Sequence, residues 1–165
     1  MKKIVLSALC LAFLFCITSQ NSQALIKPFS LYLSGGVQTD TKLSFDPFYW
    51  TAGANMDFSF ALLPFTISPE CYVIVNKFNF DAFWLAPAVM ANLKLANLFV
   101  GAGLTKWFLV GTEVTETLST DFKLKLNAGL KGPGVKLTVF AVTEFDHLLK
   151  SDYMWIGATI SFGLL

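Results

Sequence analysis

Alternation of apolar residues with small or polar residues is the pattern that most constrains this chain. In the segment Met154–Leu164 every even position is apolar, whereas the odd positions hold Trp155 and then only glycine, threonine and serine. A period of two is typical of a β-strand with two unlike faces. Because the pattern recurs in eight stretches, the sequence predicts an all-β fold with one apolar and one polar face.

The eight predicted strands have their register fixed by parity. They cover Phe29–Gln38, Phe48–Phe58, Phe65–Val75, Phe83–Leu95, Leu98–Trp107, Phe122–Leu130, Val135–Ala141 and Met154–Leu164. Pro69 and Pro87 fall inside the third and fourth of these strands. Since proline cannot donate to a β-ladder, we expect a bulge or a shifted strand start at one or both positions.

The first 24 residues have the pattern of a secretory signal peptide. Lys2 and Lys3 precede an apolar run of about 14 residues, which is shorter than the roughly 20 residues of a membrane-spanning helix. The segment Ser22–Ala24 suits cleavage after Ala24. We therefore expect residues 1–24 to be removed, which leaves residues 25–165 as a single domain.

Charge and cysteine content exclude two classes of secreted protein. Without Lys2 and Lys3, the 12 basic residues fall to ten against 11 acidic residues, so no basic patch for nucleic acid is expected. Cys10 and Cys16 lie in the leader, which leaves Cys71 alone. An intramolecular disulfide is then ruled out, and with it a small disulfide-stapled module.

Composition decides which solvent the apolar face meets. The chain is 55% hydrophobic and 14% charged. Beyond the leader, its longest nearly apolar run, Ala82–Ala91, is too short for a membrane helix and contains Pro87. A secreted chain of this kind must either bury its apolar face in a large core or present it to lipid as closed strands. We interpret the pattern as an eight-stranded antiparallel transmembrane β-barrel.

The connections between the strands differ in length at the two ends. With the N-terminus on the periplasmic side, the first, third, fifth and seventh connections are the longer ones and face outward. The tightest connections, Ala96–Asn97 and Lys131–Gly134, lie at the opposite end. Short periplasmic turns and longer outer loops are typical of outer-membrane barrels.

In these features the chain resembles the small eight-stranded outer-membrane barrels, the porin-like group that includes OmpX, OmpW and the OmpA membrane domain. The specific resemblance lies in the last strand. There Gly157, Ile160 and Phe162 match the glycine, hydrophobic and terminal aromatic spacing of the signal read by the barrel-insertion machinery, although Gly163–Leu165 follow it. The resemblance implies insertion by that machinery into the bacterial outer membrane, with outer-membrane lipids as partners. It does not imply a particular activity.

The inward face carries the candidate functional residues. Parity places two acids and four lysines in the lumen: Asp57, Glu70, Lys94, Lys123, Lys125 and Lys136. Such a set could form a weakly anion-selective path or a salt-bridged plug. We favour the plug, because eight strands enclose only enough room for side chains or one small ligand.

A second inward group lies near the loop ends of the strands and consists of Tyr49, Trp84, Trp107 and Trp155. Inward glycines leave space that large rings can occupy. The group could pack as a cap over the lumen or bind an apolar or sugar ligand at a mouth. Trp50 faces outward at the same level and is expected in an interfacial aromatic girdle.

No residue pattern favours catalysis, a cofactor or a metal. The one histidine, His147, lies beside Asp146 and near Ser151 in an outer loop, where histidine is usually solvated. We therefore predict a non-enzymatic, structural or surface-displaying barrel of the outer membrane. The runner-up is a binding or transport barrel for a small hydrophobic ligand, and a third class is a soluble lipocalin-like barrel with inverted faces.

Overall fold

A computed structural model describes residues 29–40, 48–60, 64–76, 79–111, 118–148 and 154–164. Within these residues nine strand segments form a single sheet. They are β1 (Phe29–Asp40), β2 (Phe48–Ser59), β3 (Phe65–Asn76), β4 (Asn79–Leu95), β5 (Leu98–Thr105), β6 (Phe108–Gly111), β7 (Lys123–Gly132), β8 (Val135–Glu144) and β9 (Met154–Gly163). The predicted leader, residues 1–24, lies outside the described residues.

The sheet closes on itself as an antiparallel barrel. The segments follow the order β3, β2, β1, β9, β8, β7, β5, β4, and β3 pairs again with β4. Because β5 and β6 both pair with β4, in one common register, they act as two parts of one strand. The predicted eight-stranded antiparallel barrel is therefore confirmed. Closure removes the free sheet edges that would otherwise leave backbone groups unpaired.

The two ends of the barrel differ in the connections between their strands. The end with the two-residue turns at Ala96–Asn97 and Pro133–Gly134 is called the turn end, and the opposite end the loop end. Gly134 has a φ of 72°, which a glycine adopts without steric cost. All four loop-end connections are shorter than the sequence suggested, since β1 extends to Asp40, β4 begins at Asn79, β6 occupies part of the fifth connection and β8 extends to Glu144. In each case pairing continues for as long as a neighbouring strand offers partners.

The two faces of the barrel have opposite chemistry. Polar side chains fill the inside, and the buried ones are Ser34, Gln38, Thr51, Asn55, Asp57, Thr66, Ser68, Glu70, Asn92, Thr105, Lys123, Lys125, Asn127, Lys136, Thr138, Thr159 and Ser161. Large apolar side chains are exposed on the outside, including Leu33, Trp50, Phe58, Phe65, Ile67, Val89, Val100, Leu104, Leu126, Val139, Ile160 and Phe162. The sequence alternation thus separates a polar interior from an apolar exterior.

Pro69 interrupts the ladder between β2 and β3 without shifting its register. The pairing stops at Glu70 and resumes in the same register at Ile67. Pairing of Pro69 with β4 is unbroken, so the missing N–H faces β2. The expected bulge is wrong at this position, and the register shift of β3 lies instead between Val75 and Asn76.

Pro87 has a similar effect on the fifth strand. The predicted continuous strand Leu98–Trp107 is wrong, because β5 ends at Thr105 and β6 begins at Phe108. Lys106 N donates to the Pro87 carbonyl at 3.2 Å, and Thr105 Oγ1 donates to the same oxygen at 2.9 Å. In a regular antiparallel ladder the residue at position 87 would also donate its N–H to the opposite strand. Proline has no N–H, so this second hydrogen bond is missing. The result is a gap in the strand rather than the expected bulge.

Outside the strands, the described residues contain one short 3-10 turn, Phe145–His147. Among these described residues, no helix has the length and hydrophobicity needed to cross a membrane.

Candidate functional site in the barrel lumen

Asp57 forms the centre of a charged cluster near the turn end. Its Oδ1 accepts from Ser68 Oγ at 2.7 Å and from Lys136 Nζ at 3.1 Å, and its Oδ2 accepts from Lys131 Nζ at 2.7 Å. Asn92 Nδ2 in turn donates to Ser68 Oγ at 2.8 Å. Because β2 does not neighbour β7 or β8, both ion pairs of Asp57 cross the lumen.

A layer of neutral hydrogen bonds lines one side of the lumen near its middle. Ser34 Oγ donates to Ser161 Oγ at 2.7 Å. Asn55 Nδ2 lies 2.9 Å from Ser34 Oγ and 3.3 Å from Tyr72 Oη. All four side chains are buried. These hydrogen bonds join the neighbouring strands β3, β2, β1 and β9 along one side of the lumen.

Glu70 and Lys125 form a second cross-lumen ion pair, closer to the loop end. Lys125 Nζ lies 2.6 Å from Glu70 Oε2. The same ammonium lies 4.7 Å from the ring centroid of Tyr72 and 4.9 Å from that of Phe140. A carboxylate and two aromatic faces together replace the hydration that this buried cation has lost.

The remaining two predicted lumen lysines lie toward the two ends. Lys123 Nζ pairs with Glu144 Oε1 at 2.7 Å on the adjacent strand and lies 5.5 Å from the Trp107 ring centroid. Lys94 Nζ donates to Ser59 Oγ at 2.8 Å and lies near the Asp57 cluster at the turn end. The six residues predicted as one lumen network are thus divided among a turn-end cluster and two separate loop-end pairs.

The structure brings the four predicted aromatic residues together at the loop end. Ring centroids lie 5.3 Å apart for Tyr49 and Trp155, 6.0 Å for Trp155 and Trp107, and 6.2 Å for Trp107 and Trp84. Trp107 is buried, and the other three rings are half-buried. The rings pack against an apolar cluster of Tyr72, Ile74, Ala86 and Val142. Below Trp107 the lumen retains a cavity of about 20 Å³, which is the room of about one water molecule.

Different rings occupy the space over two inward glycines. A Cβ on Gly129 would lie 2.6 Å from Cζ of Phe99, and a Cβ on Gly157 would contact the ring of Phe140. Only glycine permits this close approach of a ring to the strand. Gly129 and Gly157 therefore make room for phenylalanines in the body of the lumen, while the tryptophans lie above them.

Several lumen residues were missed by the sequence analysis. Lys131 was assigned to a turn, but β7 extends to Gly132 and therefore includes it. Because Lys131 lies an even number of residues after Lys123 and Lys125, it points inward as they do. Glu144 was assigned to a loop, but it continues the parity of Lys136. Extending each alternation to the next glycine or turn would have found both residues. The inward Tyr32, Tyr72, Met90 and Phe99 were missed because an apolar or aromatic residue carries no polar signal.

The structure gives no support for a reactive cluster in its described part. His147 Nδ1 lies 3.4 Å from Glu144 Oε2, whereas Ser151 and Asp152 lie outside the described residues. Among the described residues no group of three or more histidine, cysteine, aspartate or glutamate side chains could hold a metal ion.

The three residues of the predicted insertion signal lie in β9, which pairs with both β8 and β1. Ile160 and Phe162 point outward and are exposed, whereas Gly157 faces the lumen beneath Phe140. Phe162 lies opposite Leu33 of β1 and Val135 of β8. These three residues therefore lie in the strand that forms the seam with β1.

No protein-family profile and no curated protein sequence matches this chain. Among solved structures, the N-terminal β-barrel domain of OprF from Pseudomonas aeruginosa is similar, with a TM-score of 0.48 and 11% sequence identity. The alignment covers 82% of this chain and 97% of the OprF domain.

Proposed function

We propose that this chain is an integral outer-membrane β-barrel protein that is non-enzymatic and has a structural or surface-displaying role. One observation carries the proposal: the barrel buries charged residues such as Lys136 and Asp57 inside and exposes large apolar residues such as Val139 and Phe162 outside. A soluble barrel requires the reverse arrangement, because in water an exterior like this one would expose an apolar surface on every side. Lipid is the solvent that suits such an exterior.

The filled lumen supports a structural role rather than transport. The Asp57 cluster lies near the turn end, the Ser34–Asn55 layer and the Glu70–Lys125 pair lie between the two ends, and the aromatic cap lies at the loop end. Each of these layers joins strands from different sides of the barrel or fills the space between them. A barrel held in this way is a rigid support for its loop-end connections, which would be displayed at the cell surface.

The last strand is the proposed contact with the insertion machinery. Gly157, Ile160 and Phe162 would be recognised before β9 pairs with β1, since the seam buries their backbone groups once the barrel has closed. Outer-membrane lipids would then meet Ile160 and Phe162, which remain exposed. The leader, residues 1–24, would direct export and be cut after Ala24.

Expression in a two-membrane bacterium followed by fractionation tests this proposal. We expect the protein in the outer-membrane fraction, resistant to extraction by urea, with Leu25 as its first residue by N-terminal sequencing. Its gel mobility should change on boiling, because a closed barrel resists unfolding by detergent alone. Recovery as a soluble periplasmic protein would contradict the proposal and favour a soluble barrel.

A further inference from the structure

A cavity of about 210 Å³ lies inside the barrel at the turn end. Its lining includes three lysines, Lys94, Lys131 and Lys136, together with Asp57 and Thr66. Ala96 and Leu98, which are exposed, also line it and lie at its mouth next to the β4–β5 turn. The cavity is therefore accessible from the turn end, and it is about ten times larger than the space below Trp107.

The positive charge of this cavity is not balanced. Lys131 and Lys136 share the single carboxylate of Asp57. Among the residues that the structure describes, no carboxylate lies within ion-pair distance of Lys94, whose Nζ donates to Ser59 Oγ. Three ammonium groups and one carboxylate leave an excess of two positive charges. By contrast, Lys123 and Lys125, the described lumen lysines nearer the loop end, each have their own carboxylate, so among the described lumen residues the unbalanced charge is confined to the cavity.

The cationic groups are also held in place. Lys136 Nζ lies 4.9 Å from the ring centroid of Phe99, and Lys131 Nζ lies 5.1 Å from that of Tyr32. The Lys136 side chain is 3% exposed, so it cannot swing out to water. Thr66 is 1% exposed, and its Oγ1 has no hydrogen-bond partner within the described residues. An unpaired buried hydroxyl on the cavity wall is a donor available to a bound ligand.

We propose that the turn-end cavity binds a phosphate dianion, either as inorganic phosphate or as the phosphate group of a larger molecule. A dianion neutralises the excess charge, and its tetrahedral oxygens can accept from the ammonium groups of Lys94, Lys131 and Lys136 and from Thr66 Oγ1. Asp57 remains between Lys131 and Lys136 and keeps them apart. Lys94, which has no carboxylate partner in the described part of the chain, then contributes most to holding the anion. This inference depends on the lumen alone and does not require the membrane placement proposed above.

Titration calorimetry with inorganic phosphate tests the site in the folded, full-length protein, held in a maltoside detergent that contains no phosphate. Ionic strength is kept constant with chloride, so that general screening is excluded. We expect saturable binding to one site. Lys94→Gln should weaken it about tenfold or more, because one charge-assisted hydrogen bond is lost. Lys94 is only half-buried, so this variant is expected to fold.

Lys106→Gln is the matched control, because Lys106 is half-buried beside Phe108 and Phe122, away from the cavity. It should bind phosphate as the parent does. Absence of saturable binding in the parent, or equal weakening by Lys106→Gln and Lys94→Gln, would overturn the proposal. Displacement of phosphate by glycerol phosphate would identify a soluble phosphomonoester as the larger ligand, and displacement by phosphatidylglycerol in mixed micelles would identify a lipid headgroup.

Discussion

Lys125 Nζ lies 2.6 Å from Glu70 Oε2, although the two residues belong to strands β7 and β3, which do not neighbour each other in the barrel. The side chains are 8% and 4% exposed, so the pair joins opposite parts of the wall through the lumen. A buried ion pair need not stabilise a fold more than an apolar pair would, but it strongly penalises the loss of one partner. The ion pair therefore links β3 to β7 as long as both side chains are charged.

Removing one partner of this pair should be costly. Glu70→Gln or Lys125→Met should each lower the free energy of unfolding by about 3–5 kcal/mol, since the other charge is left buried without a partner. The double variant should lose clearly less than the sum of the two single losses. Urea titrations of the folded barrel measure these values.

The control is a second double-mutant cycle, made at Lys123 and Glu144. These two residues pair at a similar distance but lie on adjacent strands. The Glu144 side chain is 42% exposed, so its coupling energy should be only about 0–1 kcal/mol. Equal coupling in the two cycles would argue against a special role for the cross-lumen pair.

The lumen should not support a steady ion current. The Asp57 cluster and the Glu70–Lys125 pair cross the lumen, the Ser34–Asn55 layer and the aromatic cap fill further parts of it, and about 20 Å³ remains open below Trp107. Planar-bilayer recordings of the folded protein should show small or no steady conductance. Large, stable, porin-like steps would require these layers to be absent in the membrane and would refute the filled lumen.

The aromatic cap should contribute stability rather than ligand binding. Trp107 is 7% exposed and contacts both Trp84 and Trp155, so Trp107→Ala should lower the free energy of unfolding by about 3–5 kcal/mol. Tryptophan emission of the parent should not respond to apolar or sugar compounds. A saturable shift in the parent that disappears in a folded Trp107→Ala protein would instead favour a binding barrel.

Strand positions and faces could be predicted from the sequence because each strand has unlike faces along its whole length. The side-chain period of two fixes which residues point inward, so Asp57, Glu70 and Lys125 could be placed in the lumen without coordinates. What parity does not fix is which lumen residues meet. Lys131 and Lys136 reach the same carboxylate because the tilt and stagger of the strands bring β7 and β8 toward Asp57 across the barrel.

The interruptions of the strands were harder to predict. A proline in a strand can be accommodated by a bulge, a shifted register or a simple gap. The choice depends on the neighbouring strand. Opposite Pro87, the strand made of β5 and β6 loses one hydrogen bond and is interrupted at Lys106 and Trp107. The Trp107 side chain packs into the lumen. No local sequence pattern specifies this outcome, because it arises from pairing between distant residues.

Val139→Arg tests most directly whether the apolar exterior of the barrel lies in lipid. Val139 lies midway along β8 and is 59% exposed, whereas Leu118, 56% exposed, lies beside β6 near the loop end. In lipid vesicles we predict that Val139→Arg lowers the free energy of unfolding by about 2–4 kcal/mol and Leu118→Arg by about 0–1 kcal/mol, because the cost of an arginine depends on its depth in the bilayer. Equal small effects at the two positions would mean that the middle of the barrel faces water and would contradict the account.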